Sequence, residues 1–518
     1  MRGSTHPVSC ATNGCQHGRK LLAAGQWHLP DRYNSQNFPL PKETTMYDRM
    51  QELHSDQMTK IHDASMAILQ KTGIVVNEEE ALAIFKKHGY RVENKTVFPT
   101  EQQIRGALAS APATFTVEAR NPAKSVAIGG DNFAFLPGYG APYVIDGQGT
   151  QREARMEDYD TFCRLIQTSK YIDMNGWMMV EPSDMPAATV HLDMTLSNIL
   201  LCDKPFMGSP VSRQGAIDGI EMAAIAWGGK DRIVEKPVTV SLINSLSPLQ
   251  FSEEMAGSLI ELARHGQATV IASLIMAGAS GPVTLAGVLA MQNAEILTGL
   301  ALAQLVRPGV PVIYGSTSSA MDMKTGALSI GAPELSKNIN YTAQMARFYN
   351  LPSRSGGGLT DALYPDAQAG AESALALYTA ARNGINFVLH AAGILGSYIA
   401  MSFEKFLIDE EVCGMVRRML KPIDITDESI DVEMICKVGP GGQYLTNPKT
   451  FKLCRTEFFL PDLMSRSNYD AWSAAGKKKI NEIADNKLTQ RLAKYEKPDI
   501  DAGIEKDLTE YVNRRKQG

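Results

Sequence analysis

Apolar positions along this chain follow two alternating rhythms. From Met46 to about residue 112 the rhythm is helical. MYDRMQELHSDQMTKIHDASMAILQKTG repeats apolar residues every third or fourth position and stops at Gly73. EEEALAIFKKHG and TEQQIRGALASA follow with acidic or threonine starts, as helices do. A stretch rich in Val, Phe and Tyr comes next, FTVEARNPAKSVAIGGDNFAFLPGYGAPYVIDGQGTQREA, and its Gly and Pro residues predict short strands and turns. Beyond it, short apolar runs alternate with amphipathic helical patterns. The runs are FAFLP (133–137), IDMNGWMMV (172–180), PFMGSPV (205–211), PVTVSLI (237–243), ATVIASLIM (268–276), PVIYGST (311–317), LPSRSGG (351–357) and INFVLHAA (385–392).

Such alternation predicts parallel βαβ units. Eight runs fit a closed (β/α)8 TIM barrel better than an open doubly wound sheet, and no GxGxxG follows the first run. The expected class is therefore α/β. A (β/α)8 barrel over residues 131–425 follows an N-terminal helical and strand layer over 46–130. A mixed α/β extension over 426–518 packs on the barrel. Residues 1–45 are polar and aperiodic, and read as a disordered extension or an added remnant. In the tail, TEFFLPDLMSRSNYDAW reads as a docking segment. The last residues read as two charged surface helices split at Pro498, with a solvated face.

Composition changes this picture little. Of 518 residues, 44% are hydrophobic and the net charge is −5, an ordinary globular balance. Basic residues are scattered, which argues against a nucleic-acid partner. Seven cysteines with no CxxC pair read as reduced thiols, and no segment reads as a signal peptide, so a cytoplasmic location is expected. Cys10, Cys15 and His17 lack the fourth ligand of a tetrahedral metal site. The most apolar stretch, AGVLAMQNAEILTGLALAQLV, is interrupted by Gln292, Asn293 and Glu295. That makes it a buried core helix rather than a membrane span.

In barrels of this kind the reactive groups lie at the carboxyl ends of the strands. Those ends carry Tyr139, Glu181, Ser209, Asn244, Met276, Gly315 to Ser318, Gly356 to Gly358 with Leu359 and Asp361 beyond, and His390. No lysine or cysteine ends a strand, so a Schiff-base or thiol nucleophile is not expected. His191 with Asp193 is too thin for a metal site. Aromatic residues cluster instead: Tyr139, Tyr143, Trp177, Tyr364 and Phe387 all fall near strand ends. Aromatic faces suit a quaternary ammonium ion, which makes no hydrogen bonds; by spacing alone they could equally be hydrophobic lids. His390 could be a satisfied core histidine. The three glycines at 356–358 could cradle a phosphate or admit a bulky ligand close to the backbone.

Five blocks carry a resemblance to a known family: SLINSLSPLQFS (241–252), MAGASGPVTLAGVLAMQNAEILTGLALAQLVRPGVPVIYGSTSS (276–319), GALSIGAPELS (326–336), FYNLPSRSGGGLTDALYPDAQAG (348–370) and MSFEKFLIDEEV (401–412). In order and content they resemble the trimethylamine methyltransferases, from about residue 46 to the end. The resemblance implies a (β/α)8 barrel that moves a methyl group from an amine to the cobalt of a separate, cognate corrinoid protein. It implies no permanently bound cofactor, with cob(I)alamin supplied by that partner. Archaeal trimethylamine enzymes carry pyrrolysine in the fourth block; here ordinary residues stand there, with Gly358 or a neighbour at that position. The chain thus looks like the branch that demethylates quaternary amines. FLPGYGAPYVID, MNGWMMVEPSD and VLHAAGILGSYIAMSFEKF are most similar to members acting on glycine betaine. Proline betaine, carnitine or γ-butyrobetaine as substrate, or a non-catalytic subunit that binds the corrinoid protein, are the alternatives. The resemblance implies an ammonium cage of Tyr139, Tyr143 and Trp177, with Glu181, Tyr364 and Phe387 beside it. His390 and Arg354 are assigned to the substrate carboxylate, and Gly356, Gly357, Gly358, Leu359 and Asp361 to a loop facing the corrin ring. A homo-oligomer is possible; no membrane association is expected.

Overall fold

The computed structural model describes residues 49–517. The expected extension at 1–45, with Cys10, Cys15 and His17, lies outside them.

Seven of the eight predicted runs form strands of one sheet. They are β1 (Ala134–Pro137), β2 (Phe206–Met207), β3 (Thr239–Asn244), β4 (Ala268–Ser273), β5 (Val312–Ser316), β6 (Ser353–Arg354) and β7 (Phe387–Ala392). The order across the sheet is β1-β7-β6-β5-β4-β3-β2, and every pairing is parallel. β4, β5 and β7 are buried along their whole length, as expected of parallel strands covered on both faces. Five of the helices that cover the sheet begin where the sequence supplies a cap. Ser212, Ser252, Thr284, Asp366 and Ser402 each accept a backbone N–H two or three residues into the following helix.

The run at 172–180 is the one that does not form a regular strand. Its polar side chains compete for backbone bonds: Asp173 accepts the Phe135 N–H, and Asn175 accepts the N–H of Gly176. The backbone of this run nevertheless touches both outer strands. The Asp173 N–H donates to Phe135 O at 2.9 Å, Asn175 donates to Pro205 O at 2.7 Å, and Met207 donates back to Asn175 O at 3.1 Å. The fold is thus an α/β fold built on a seven-stranded parallel sheet.

The apolar helix Leu285–Val306 lies in the core. Its length and composition would suffice for a membrane span, but 83% of its most apolar window is buried inside the chain. Two of its polar residues tie the core together. Glu295 accepts hydroxyls from Ser245, Ser247 and Ser273 and the N–H of Leu249. Asn293 donates to Ser65 and Tyr349 and accepts from Tyr314. The N-terminal helices Ser55–Lys71, Glu79–Lys87 and Glu101–Leu108 form in the segments the pattern predicted and join the same core as this helix.

Two tail helices, Ile480–Ala493 and Ala502–Gln517, flank Pro498 as predicted. Their faces are less solvated than their charge suggested. Leu508, Tyr511 and Val512 are buried. Tyr511 and Arg515 both donate to the buried Asp218, and Arg491 pairs with Glu410. The charges on the inner face are consumed by partners on the sheet's own helices, which the sequence pattern does not display.

Candidate active site

At the carboxyl end of β1 the chain turns through Gly138 and is tied down on two sides. The Gly138 N–H donates to Ala392 O at the end of β7, and the Gly140 N–H donates to Met178 O at 2.6 Å. Ala141 also bridges Val180 in parallel. This holds Tyr139 between the end of β7 and the run that carries Trp177. The two rings lie 6.4 Å apart, tilted by 46°. Both are buried. His390 completes the group: its ring meets Tyr139 edge-on at 6.4 Å and packs on Tyr398 at 4.8 Å.

His390 lies within β7 at φ +64°, a left-handed conformation that costs a β-strand residue energy. Its carbonyl accepts the Gly358 N–H at 2.6 Å. The ring is fully enclosed, and burial first, then the nearby Arg354 charge, hold its pKa well below the usual histidine value. The imidazole is therefore neutral. Its Nε2 lies 3.1 Å from Arg354 Nη2. A guanidinium can only donate, so Nε2 accepts and Nδ1 carries the proton. That Nδ1–H has no partner among the described residues.

Arg354 is the unusual residue. It is 2% exposed and donates to Thr317 Oγ1 at 3.2 Å and to His390, yet no carboxylate pairs with it among the described residues. Burial pushes its guanidinium down to about 10, so it remains charged at neutral pH. Among the described residues its Nε has no partner, nor has Nε1 of Trp177. Buried polar groups are satisfied in the great majority of cases. Three unpaired donors, on Arg354, His390 and Trp177, converge with aromatic rings at one end of the sheet. This arrangement suits a ligand with an anionic end for the arginine and an apolar or cationic end for the aromatic faces.

The strand-end reading named Tyr139, Trp177, His390 and Thr317, the family resemblance added Arg354, and the structure brings these five together. Glu181 follows closely: its N–H donates to Ala141 O, its carboxylate is exposed, partial desolvation raises its pKa, and its charge reaches Tyr139. Other expected members sit elsewhere. Tyr143 lies on a short strand against Ala400 and packs in a separate small cluster with Ile145 and Leu395. Tyr364 donates its hydroxyl to Gly147 O in a surface turn. Phe387 opens β7, three residues before His390, and is buried in the main core. Leu359 is core as well. Asp361 accepts the N–H groups of Ile330 and Gly331 and the Ser397 hydroxyl, so it staples three loops. Tyr398 was missed. It lies beyond the strand end, and its ring reaches His390 from a residue at φ +75°.

The glycine run differs from expectation in its reason for being glycine. Gly357 sits at φ +131°, and a Cβ there would lie 2.4 Å from Leu389 O. At Gly358 a Cβ would lie 2.8 Å from Ala391 O and 3.1 Å from Asp409 Oδ2. The run is buried between β7 and the helix Phe403–Leu420, so the chain's own packing demands these glycines without any outside ring.

The fold and site together define a parallel α/β protein with a buried arginine, a neutral histidine and aromatic rings gathered at one end of its sheet. The sequence profile described as trimethylamine methyltransferase (MTTB) matches residues 27–518, and the chain belongs to that family. The match starts upstream of Met46, so residues 27–45 share it too. A glycine betaine methyltransferase of Desulfitobacterium hafniense (strain Y51) is 48% identical over 463 residues, 89% of this chain and 96% of the relative. The proline betaine:corrinoid methyltransferase of Eubacterium limosum is 34% identical, over 87% of this chain and 95% of its own length. A trimethylamine methyltransferase of Methanosarcina barkeri (strain Fusaro / DSM 804) is 33% identical, over 89% and 94% respectively.

Proposed function

We propose that this chain is a glycine betaine methyltransferase that passes one methyl group to the Co(I) corrinoid of a partner protein and releases dimethylglycine. The observation that carries the reading is Arg354: a buried guanidinium with no carboxylate partner among the described residues, whose charge reaches Tyr139 beside Trp177. Glycine betaine supplies the missing carboxylate, and its trimethylammonium group suits aromatic faces. In this reading Arg354 and the His390 Nδ1–H hold the carboxylate, Tyr139 and Trp177 bound the ammonium, and Glu181 adds negative charge at the rim.

The partner's cobalt supplies the electron pair that takes the methyl group. The methyl acceptor has to come from outside because the site offers no nucleophile. Burial raises the Tyr139 phenol far above neutral pH. His390 is neutral, with Nε2 occupied by Arg354. The C–N bond breaks with its electrons left on nitrogen, so a neutral tertiary amine departs and no proton moves. The protein's contribution is orientation and exclusion of water.

The same reading includes a closed eight-stranded barrel. The bonds from Asp173 and Asn175 to β1 and β2 support it, since they link the two edges of the sheet through the eighth run. It also includes a cytoplasmic location and no resident cofactor.

The test is formation of methylcobalamin from cob(I)alamin and glycine betaine by the purified chain, read by absorbance with dimethylglycine measured in parallel. Equal yields are expected. Turnover with proline betaine but not glycine betaine would move the substrate assignment, and no turnover with any betaine would refute the reading.

A further inference from the structure

Trp177 sits on the one predicted run that forms no regular strand, and among the described residues its Nε1–H has no partner. The place of the indole is therefore set by packing and by the backbone that carries it. That backbone is held from behind. The Gly176 N–H donates to Asn175 Oδ1 at 2.9 Å, and Asn175 Nδ2 donates to Cys163 Sγ at 3.4 Å. The Cys163 thiol donates to Asn198 Oδ1 at 3.6 Å, and Asn198 Nδ2 donates to Tyr159 Oη at 2.9 Å. The Tyr159 hydroxyl donates to the Trp177 carbonyl. Five bonds through four side chains thus start at Gly176 and end on its neighbour Trp177.

Every link in this clasp points the same way, and bonds in such a series reinforce one another in a low-dielectric interior. Tyr159 and Cys163 donate only while protonated, and burial raises both groups well above their usual values. The members come from both sides of the run. Tyr159 and Cys163 lie on the helix Met156–Thr168 before it, and Asn198 lies on the helix Val190–Leu201 after it. All four side chains are 1% exposed or less. On the other side Gly176 is close enough to β1 that a Cβ would stand 3.0 Å from Pro137 Cγ. The segment is gripped from both faces.

We propose that Tyr159, Cys163, Asn175 and Asn198 are positioning residues, which hold the Trp177 indole where it bounds the ammonium group of the substrate. The proposal rests on the reading of Trp177 as a wall of that pocket. A cation over an aromatic face is sensitive to the distance and tilt of the ring, and a run without a ladder does not supply that precision itself. The clasp does, by fixing the carbonyl of the residue that carries the ring. Its four members touch no substrate and act only through Trp177.

Tyr159→Phe keeps the ring and removes only the last donor. With free cob(I)alamin as acceptor, KM for glycine betaine is expected to rise about tenfold, the worth of one buried hydrogen bond, while kcat holds within about twofold. In a Trp177→Phe background the same substitution should leave KM unchanged, because the two residues act as one. The emission of Trp177, taken as the difference between chains with and without that residue, should shift in Tyr159→Phe. Cys163→Ala opens the series two links away and should raise KM in the same direction by a smaller factor. Ile166→Val, buried on the same helix but outside the clasp, should not change KM. An unchanged KM in both clasp variants overturns the proposal. So does an equal rise in Ile166→Val, an undiminished effect of Tyr159→Phe without Trp177, or an unshifted Trp177 emission. If the native chain turns over no glycine betaine, the functional reading alone falls, and the emission still decides whether the clasp holds the ring.

Discussion

At the scale of single residues, the role proposed for Arg354 sets binding against stability. An enclosed cation without a counter-ion is destabilising. Arg354→Met keeps the side-chain volume and removes the charge. It is expected to raise the melting temperature or leave it unchanged while Kd for glycine betaine increases at least tenfold. One charge-assisted hydrogen bond carries about 1.5–3 kcal/mol. Calorimetric binding and thermal unfolding of the same sample check both halves. His390→Ala removes a neutral donor and is expected to raise KM more than it lowers kcat. A collapse of kcat at constant KM would give His390 a chemical role. Because burial and Arg354 depress the His390 pKa, the imidazole is already neutral across pH 6–8, and KM should be flat over that window. An inflection in KM near pH 6.5 would mean that the ring titrates in solution. Tyr143, Tyr364 and Phe387 show the limit of reading residues singly. Tyr143 and Tyr364 lie farther past their strands than Tyr139 does and Phe387 opens its strand rather than ending it, and sequence distance does not say which way a side chain turns.

Among elements, the helix Phe403–Leu420 and the strand β7 act as a unit. Lys405 donates to both oxygens of Asp409, at 2.5 and 2.6 Å, and to Ser373. Asp409 accepts the Gly393 N–H, which lies just past β7. The pair thus backs the segment that holds His390 in its left-handed conformation. Burial pushes the Asp409 carboxyl up to about 6 even with Lys405 beside it. Lys405→Met strands that carboxylate, and breaking a buried pair costs about 3–5 kcal/mol. Its folded pKa then climbs further above the unfolded value. A raised folded pKa means that stability is retained at low pH and lost as pH rises through that value. The deficit of the variant should therefore be large at pH 8 and shrink toward pH 5. Urea unfolding at the two pH values measures it; a deficit independent of pH would show that Asp409 is already neutral.

For the whole molecule, the consequence is substrate choice. Trimethylammonium brings a cation and no carboxylate into a site that already encloses the Arg354 charge. Neutral trimethylamine would have to expel an amide anion. The chain should thus form methylcobalamin from glycine betaine and not from trimethylamine, although its family is described by the latter. Comparable rates from both, measured by cobalamin absorbance, would contradict the site as assigned.

What the sequence determined by itself was set by local rules. Apolar runs and capped amphipathic helices specified parallel βαβ units, and seven of the eight runs became strands. The polar residues in AGVLAMQNAEILTGLALAQLV marked a buried helix rather than a membrane span. Ordered blocks carried the family and, through it, Arg354, while strand ends pointed to Tyr139, Trp177 and His390. Tertiary structure decided the rest, because the deciding contacts join residues far apart in the chain. It gave the run at 172–180 bridges in place of a ladder, since Asp173 and Asn175 spend their side chains on the backbone. It brought Tyr398 to His390 through two positive φ angles. It fixed the glycines at 357 and 358 by the closeness of β7 and Asp409. Above all, it left Arg354 buried without a carboxylate among the described residues, and a residue's lack of a partner depends on every segment that folds around it.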